Sequence, residues 1–506
     1  MKNILVGLHF RKHDANISIY DGRKFFYHQI EREEKAVKRA AFNATKDRDG
    51  FLLEYPSDLF SPILKLIFTK YNLDIKNIAS IAVGDSHCFL NAPNQKYKKT
   101  NWFSDICKDV YFVDHHYAHH LSNFSKQNSW ILDGHGNELR YSTIFKKNTI
   151  KETLKEPEDG ISLGAVLENF GETSVGEQNA AGHMMALDSL GTCNEEYFKK
   201  HKNDSIKNSL VYSHDHKFFT NWAKQINRKS ETFPYDYIKT LHEITKQTHL
   251  SYLKNFFNKE DKFLFSGGVS QSIVLNTFLK KEFPNLEITP HGYDGGISLG
   301  LLYFLIDKYS YDLPSLNKFP FIQADEHPGL PLRNTIKKTA EYLAKGKIVL
   351  WYQENGEIGP RALGNRSILG SPLIADMKQK INNKVKKRAW YRPYGASVLE
   401  EDYKTYFDLK WKSPYMLYQA KVIESEFLKP ITHFDGTCRI QTVESKQSIF
   451  YELIESFKKI TGVPILLNTS FNLPGKPIVG TKNDAKLTFE DSRADVLVMG
   501  DEILEK

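Results

Sequence analysis

Apolar and polar positions alternate along this chain in patterns that predict its elements before any chemistry is considered. Ile4 to Leu8 is a continuous apolar run of the kind that lies buried within a sheet. Ile17-Ser18-Ile19-Tyr20 then alternates and meets Asp21-Gly22, a hairpin turn signal. The arrangement returns at Trp130-Ile131-Leu132, which runs into Asp133-Gly134-His135-Gly136 and the strand-like Tyr141 to Phe145. Further strand-to-loop junctions follow. Phe263-Leu264-Phe265 leads into Ser266-Gly267-Gly268, and Asp294-Gly295-Gly296 opens an apolar helix near Ile297. Gly-rich turns that open onto helices place backbone N–H groups and a helix dipole where phosphate binds. Thr335 to Lys345 reads as a helix, Lys347 to Tyr352 as a strand, and Pro464 to Leu467 as another strand running into Asn468-Thr469-Ser470.

Two units of strand, polar turn and hairpin predict, by analogy of pattern, a duplicated ribonuclease-H-like (actin-like) α/β fold. In that fold the turn after each first strand faces a nucleotide. Phe321 to Pro331 reads as a linker. The expectation is therefore a domain over residues 1–325 and a second over 332–506.

Composition narrows the class. With 506 residues, 41% of them hydrophobic, 26% charged and 13% aromatic, the chain reads as an ordinary globular protein of two or three domains. No apolar run reaches membrane-spanning length, and the opening MKNILVGLHFRKHD breaks too soon for a signal peptide. Cys88, Cys107, Cys193 and Cys438 lie far apart and read as free thiols of a reducing cytoplasm. The net charge of +8 permits phosphorylated ligands or nucleic acid and establishes neither.

Candidate chemistry sits in two places. The run Asp114-His115-His116-Tyr117-Ala118-His119-His120 spaces His115 and His119 four apart, which on a helix puts both imidazoles on one face. The alternative is a histidine-rich surface helix. Asp133 and Asp294, each in a Gly-flanked turn after a strand, complete a candidate site suited to iron(II), manganese or zinc. The second place comprises four segments: Gly359 to Leu369, Tyr391 to Leu399, His433 to Val443 and Leu467 to Asn472. Each pairs Arg or Asn with Gly, Ser or Thr, as a pocket for compact anions does, because Arg offers a planar fork of donors to phosphate oxygens.

These four segments closely resemble those of the O-carbamoyltransferase family of the nodulation protein NodU, the cephem carbamoyltransferase and the tobramycin carbamoyltransferase. Gly359-Pro360-Arg361-Ala362-Leu363-Gly364-Asn365-Arg366-Ser367-Ile368 and Leu467-Asn468-Thr469-Ser470-Phe471-Asn472 match that family without exception. The resemblance implies an N-terminal Kae1-like carbamoyl-transfer domain followed by a YrdC-like domain that makes carbonyl adenylates. It implies ATP and carbamoyl phosphate as co-substrates and a hydroxyl-bearing acceptor. Carbamoyl phosphate would be held by Arg361, Lys386, Arg392, Arg439, Asn468 and Ser470. A divalent metal, foremost Fe(II) with Mg, Mn or Zn as options, would sit on His115, His119, Asp133 and Asp294. Nucleotide would lie against Gly134, Gly136, Gly267, Gly268, Asn276 and Gly295, and His13 and Lys38 would serve the transfer step.

The departures from the family lie in the N-terminal half. A block ordinarily near Gly-Lys-x-Met-Gly-Leu-Ala is Gly182-His183-Met184-Met185-Ala186-Leu187-Asp188 here. The acceptor is therefore the open part of the reading: a small molecule such as a sugar or antibiotic, or a 5-hydroxymethylpyrimidine in DNA. Lysines at 96, 98 and 99 beside Trp102, and at 378 to 388 beside Trp390, motivate the DNA option. The rivals are a tRNA threonylcarbamoyl-type enzyme and a catalytically inactive nucleotide- or nucleic-acid-binding protein.

Overall fold

The computed structural model describes residues 3–9, 14–30, 32, 57–84, 95–134, 136–156, 158–159, 162–168, 181–203, 235–323, 325–444 and 448–506. They form mixed α/β sheets divided between two compact units, each assembled from three stretches of chain. The first unit takes residues 1–155, 262–269 and 287–324, and the second takes 156–261, 270–286 and 325–506.

The first unit is built on two sheets. Six strands run in the order Phe25–Gln29, Asn16–Tyr20, Ile4–His9, Ile78–Gly84, Val110–Val113 and Tyr97–Thr100. Five more run in the order Leu286–Ile288, Phe263–Ser266, Ser129–Leu132, Arg140–Lys146 and Thr149–Lys155. In both, a strand forms an antiparallel hairpin on one side and pairs in parallel with a later strand on the other. Ile4–His9 and Ser129–Leu132 are buried along their whole length, as continuous apolar runs require. Helix Ile297–Tyr309 lies close against the first sheet. A Cβ on Gly7 would strike the carbonyl of Ser298, and one on Gly300 would strike that of Ala118.

The second unit carries a nine-stranded sheet in the order Phe407–Asp408, Tyr418–Val422, Thr437–Val443, Gly395–Leu399, Ile465–Ser470, Arg366–Gly370, Val349–Tyr352, Val496–Met499 and Glu502–Glu505. Alternation along Val349–Tyr352 serves two cores at once. Val349 and Trp351 pack with helices Arg333–Ala344 and Ile449–Thr461. Leu350 and Tyr352 face the opposite core, with Met377, Ile381, Val385 and Phe489. Helix Ile449–Thr461 is capped by Ser448 and stopped by Gly462 at φ +79°. No helix among the described residues is long and apolar enough to cross a membrane. Cys107, Cys193 and Cys438 are free thiols, while Cys88 lies outside the described residues.

Candidate active site

In the first unit, Asp114 sets the histidine run into helical register. Its carboxylate accepts the Tyr117 N–H at 2.9 Å and pairs with Arg140 Nη2 at 2.7 Å, both side chains being buried. All seven residues of helix His115–Leu121 are buried, so the surface-helix alternative falls. His115 Nε2 lies 2.9 Å from Asp133 Oδ2 and 3.4 Å from Asp294 Oδ1. His119 Nε2 lies 3.4 Å from each of the same two oxygens. The four ligand atoms fall within 4.8 Å of one another.

The surroundings hold this cluster. Asp133 Oδ1 accepts the N–H groups of Gly134 at 2.8 Å and Gly268 at 2.9 Å, which leaves Oδ2 for the histidines. Ser266 Oγ stands 3.4 Å from His119 Nδ1. Gly267 is at φ +96°, and a Cβ there would strike the Leu132 carbonyl, so the turn that presents Gly268 requires glycine. Burial opposes charge on His115, but Asp294 and Asp133 outweigh it and push the imidazole up to about 9. Burial also opposes ionisation of Asp133 and Asp294, yet the histidines hold both well below the usual carboxylate range. Two ionised carboxylates so close need positive charge between them. A proton on His115 supplies it, and a divalent ion bound by two imidazoles and two carboxylates would supply more. The donor set thus fits a possible metal site of the kind iron(II), manganese or zinc occupies.

Sequence reasoning missed His9, whose Nε2 lies 3.7 Å from Asp294 Oδ2 and whose Nδ1 bonds the Gly84 carbonyl at 2.8 Å. A histidine ending a buried strand, just before a polar loop, was the available signal. Of the glycines named for nucleotide, Gly134 has open space above its Cα, whereas a Cβ on Gly136 would meet His116. The Gly295 carbonyl accepts the Tyr27 hydroxyl at 2.7 Å. Asn276 belongs to the second unit, where its Nδ2 donates to the carbonyls of Ser270 and Leu417 at 2.8 and 3.1 Å. His13 and Lys38 lie outside the described residues.

In the second unit, a buried polar network ties the four C-terminal segments together. Asn468 Nδ2 donates to the Ala362 carbonyl at 3.2 Å and to Ser397 Oγ at 3.0 Å. Ser397 Oγ donates to Gln441 Oε1 at 2.7 Å, and Gln441 Nε2 donates to the Leu363 carbonyl at 2.7 Å. On this frame stand the cations. Lys386 Nζ donates to the Ser470 carbonyl at 2.8 Å, to Ser470 Oγ at 3.3 Å and to Asn472 Oδ1 at 2.8 Å. Burial, then Arg388 and Arg392, hold its ammonium well below the ordinary value. Burial and Arg361 do the same for Arg439, with Arg392 adding to them. Arg388, which sequence reasoning did not single out as a site residue, is brought down to about 10 by burial and by Arg392. Among the described residues, no carboxylate lies within 4.0 Å of Lys386, Arg388 or Arg439. A buried group of mutually repelling cations is the kind of arrangement that can hold an anion.

The lysines grouped near Trp102 are spent locally. Lys99 pairs with Asp109 at 2.8 Å, Lys96 bonds the Asn148 carbonyl, and Lys98 lies over the Phe112 ring. In the second group, Lys380 pairs with Asp376 at 3.0 Å and Lys384 with Asp495 at 2.9 Å.

Comparison with known proteins bears on both clusters. Residues 340–506 match the family model described as the carbamoyltransferase C-terminus. The nodulation protein NolNO of Sinorhizobium fredii is 36% identical over 266 residues, which cover 48% of this chain and 39% of that protein. A 3'-hydroxymethylcephem-O-carbamoyltransferase of Amycolatopsis lactamdurans is 39% identical over 160 residues, 31% of each protein. An uncharacterised protein of Methanocaldococcus jannaschii is 28% identical over 494 residues, 86% of this chain and 77% of that one. The match spans less than half the length of the nodulation proteins NolNO and NolO, 39% of the first and 48% of the second. Residues 340–506, the segment that carries the cation cluster, are thus the part of this chain that is similar to the carbamoyltransferase C-terminus.

Proposed function

We propose that the protein is an ATP-dependent O-carbamoyltransferase that forms carbamoyl-AMP from carbamoyl phosphate and ATP, then passes the carbamoyl group to an acceptor hydroxyl. The observation that carries this reading is the buried cation cluster on the family's C-terminal motifs. Carbamoyl phosphate is a small dianion, and Lys386, Arg392 and Arg439, with Arg361 beside them, supply the charge-assisted donors it needs. Its arrival relieves the repulsion among these cations, so binding and positioning are favoured together. Water first cleaves carbamoyl phosphate to carbamate and inorganic phosphate; carbamate is a poor electrophile, and linking its oxygen to the α-phosphorus of ATP, with pyrophosphate leaving, turns the carboxyl into a mixed anhydride. Lys386 and the arginines stabilise the charge that develops on the transferred oxygens. Asn468 and Ser470 fix the register of the pocket floor.

In this reading residues 1–325 form a Kae1-like, duplicated ribonuclease-H-like transfer domain and residues 332–506 a YrdC-like activating domain. His115, His119, Asp133 and Asp294 would hold a divalent ion, whose chemistry is to bind nucleotide phosphates. The acceptor is the hydroxyl of a small molecule or of a 5-hydroxymethylpyrimidine in DNA. Local pairing of Lys96, Lys99, Lys380 and Lys384 favours the small molecule, because a strand-tracking surface needs cations free to meet phosphates.

The test is pyrophosphate release from ATP that depends on carbamoyl phosphate. Lys386→Ala and Arg439→Ala are each expected to reduce it by at least about a hundredfold, the loss of a charge-assisted bond in a desolvated pocket. Full release in either variant would sink the assignment. Mass spectrometry of an acceptor panel, hydroxymethylated DNA included, then identifies the acceptor by one added carbamoyl.

A further inference from the structure

The strand Ile4–His9 ends beside the histidine–aspartate cluster of the first unit, and its last side chain is fully buried. Parallel pairing sets His9 opposite Gly84. His9 Nδ1 lies 2.8 Å from the Gly84 carbonyl. A carbonyl only accepts, so Nδ1 carries the proton and Nε2 presents its lone pair. That nitrogen has no hydrogen-bond partner among the described residues. It faces Asp294 Oδ2 at 3.7 Å, while Asp294 Oδ1 faces His115 and His119 at 3.4 Å each.

Other buried histidines of this unit also bond through one ring nitrogen and leave the second unpartnered. His120 Nδ1 lies 2.7 Å from Ser129 Oγ, and His291 Nε2 lies 3.0 Å from the Ser122 carbonyl. What sets His9 apart is the carboxylate that its second nitrogen faces. A lone pair and a carboxylate oxygen repel in a dry interior unless they share an electrophile. A shared proton would draw them to about 2.7–3.2 Å. Two atoms bound at about 2.1 Å to one ion lie about 3.0–4.2 Å apart, depending on their angle. The separation of 3.7 Å fits the ion and not the proton. Ring positions agree. Imidazoles that share an ion through Nε2 have centres about 4.6–6.5 Å apart. The centres of His115 and His119 are 4.8 Å apart, and those of His9 and His115 are 5.9 Å apart. The turn that carries Asp294 is also fixed to the strands that follow His9. Asn16 Nδ2 donates to the Asp294 carbonyl at 2.9 Å, and the Tyr27 hydroxyl donates to the Gly295 carbonyl at 2.7 Å.

We propose that His9 is a fifth donor to the divalent ion of this cluster, so that three imidazoles and two carboxylates select a transition ion over magnesium. The proposal rests on the reading of His115, His119, Asp133 and Asp294 as a metal site, and it adds the residue that sets the preference of that site. Imidazole nitrogen suits iron(II) and zinc, whereas magnesium keeps oxygen ligands and water. A ligating imidazole ordinarily donates its other N–H to a carbonyl or carboxylate, as His9 does to Gly84. Five donors leave one place of six for an oxygen of a bound phosphate.

The experiment loads the full chain with cobalt(II). It counts the histidine ring N–H protons whose NMR resonances the ion shifts and which vanish in heavy water. Three are expected in the parent and two in His9→Asn, whose amide keeps the bond to the Gly84 carbonyl while removing Nε2. Competition with a chelator should show cobalt(II) bound at least about tenfold more weakly by His9→Asn, with magnesium binding changed far less. Two shifted ring protons in the parent overturn the proposal. So does a third that survives in His9→Asn, and so does a cobalt(II) affinity that the substitution leaves unchanged. Three ligating imidazoles in a protein that releases no pyrophosphate with carbamoyl phosphate would sink the reaction and keep the ligand. Pyrophosphate release with only two would do the reverse.

Discussion

At the scale of single residues, the two clusters obey opposite rules. His115, His119, Asp133 and Asp294 neutralise one another, and the cations around Lys386 do not. The first arrangement is stable by itself and tightens around a divalent ion. The second is a group of like charges held together by the packing beneath it, as the proposed anion pocket requires. Elemental analysis of purified protein is expected to find one divalent ion per chain, and His115→Ala or His119→Ala should lower that to well under half, since losing one of four ligands leaves a weak chelate. A stoichiometric ion in the double variant would remove the site. Much of this was legible in the sequence. The four-residue spacing placed His115 and His119 on one helix face, and Gly-flanked turns marked Asp133 and Asp294. His9 escaped because a histidine at the end of an apolar strand reads as core. Arg388 escaped because the family motifs reach Lys386 and Arg392 but not Arg388 between them, which reads only as part of the basic cluster beside Trp390.

At the scale of elements, buried ion pairs join segments that periodicity cannot connect. Asp188 Oδ1 and Oδ2 meet His242 Nδ1 at 2.7 Å and Lys239 Nζ at 2.9 Å, which pins the end of helix Ala181–Leu187 to helix Tyr235–Lys254. Burial opposes the carboxylate, but His242 and Lys239 prevail and hold it at about 2. Its folded value lies below its ordinary one, so its stabilisation is present above pH ~4 and is lost as pH falls through about 2. The contribution is roughly 2 kcal/mol. Acid titration of the melting temperature should therefore fall less steeply between pH 4 and 2 in Asp188→Asn than in the parent. Equal slopes would show that the pair contributes nothing. The pair of Arg140 and Asp114 is a second case. Arg140→Met should lower stability by about 3–5 kcal/mol, because it strands a buried carboxylate at the start of the histidine helix. Denaturant midpoints of the first unfolding transition measure it. Helix Tyr235–Lys254 itself gave little signal in the sequence. Its buried side includes Thr240, His242, Thr245, Thr248 and His249, so the inner face is nearly as polar as the outer one. The strands with uniform apolar runs or clean alternation, such as Ile4–His9 and Val349–Tyr352, were readable for the converse reason.

At the scale of the whole molecule, connectivity matters more than length. The chain passes between its two units five times, at 155/156, 261/262, 269/270, 286/287 and 324/325. Hydrophobic periodicity is local and carries no record of such excursions, so the sequence suggested one boundary near residue 325 and no others. Among the described residues, both cores of the nine-stranded sheet, with the side chains packed against them, lie within residues 336–504. A fragment of residues 325–506 is therefore expected to fold cooperatively, with a single melting transition and protected amides on Val349–Tyr352. Residues 156–261 expressed alone are expected to stay unfolded. A fragment 325–506 without a cooperative transition would show that the excursions complete its core.

The same connectivity sets a timetable for synthesis. Three groups of the histidine–aspartate cluster are available once residue 133 has left the ribosome, but Asp294 follows about 160 residues later. At 5–20 residues per second that delay is roughly 8–30 s. During it the nascent chain exposes two imidazoles and one carboxylate as an open, three-toothed chelator in the presence of whatever ions the cell offers. Closure by Asp294 comes last, so an ion held by the finished cluster would be one that survives an exchange-prone interval. The supply of ions at the ribosome, as much as the chemistry of the finished cluster, would then decide which one is kept.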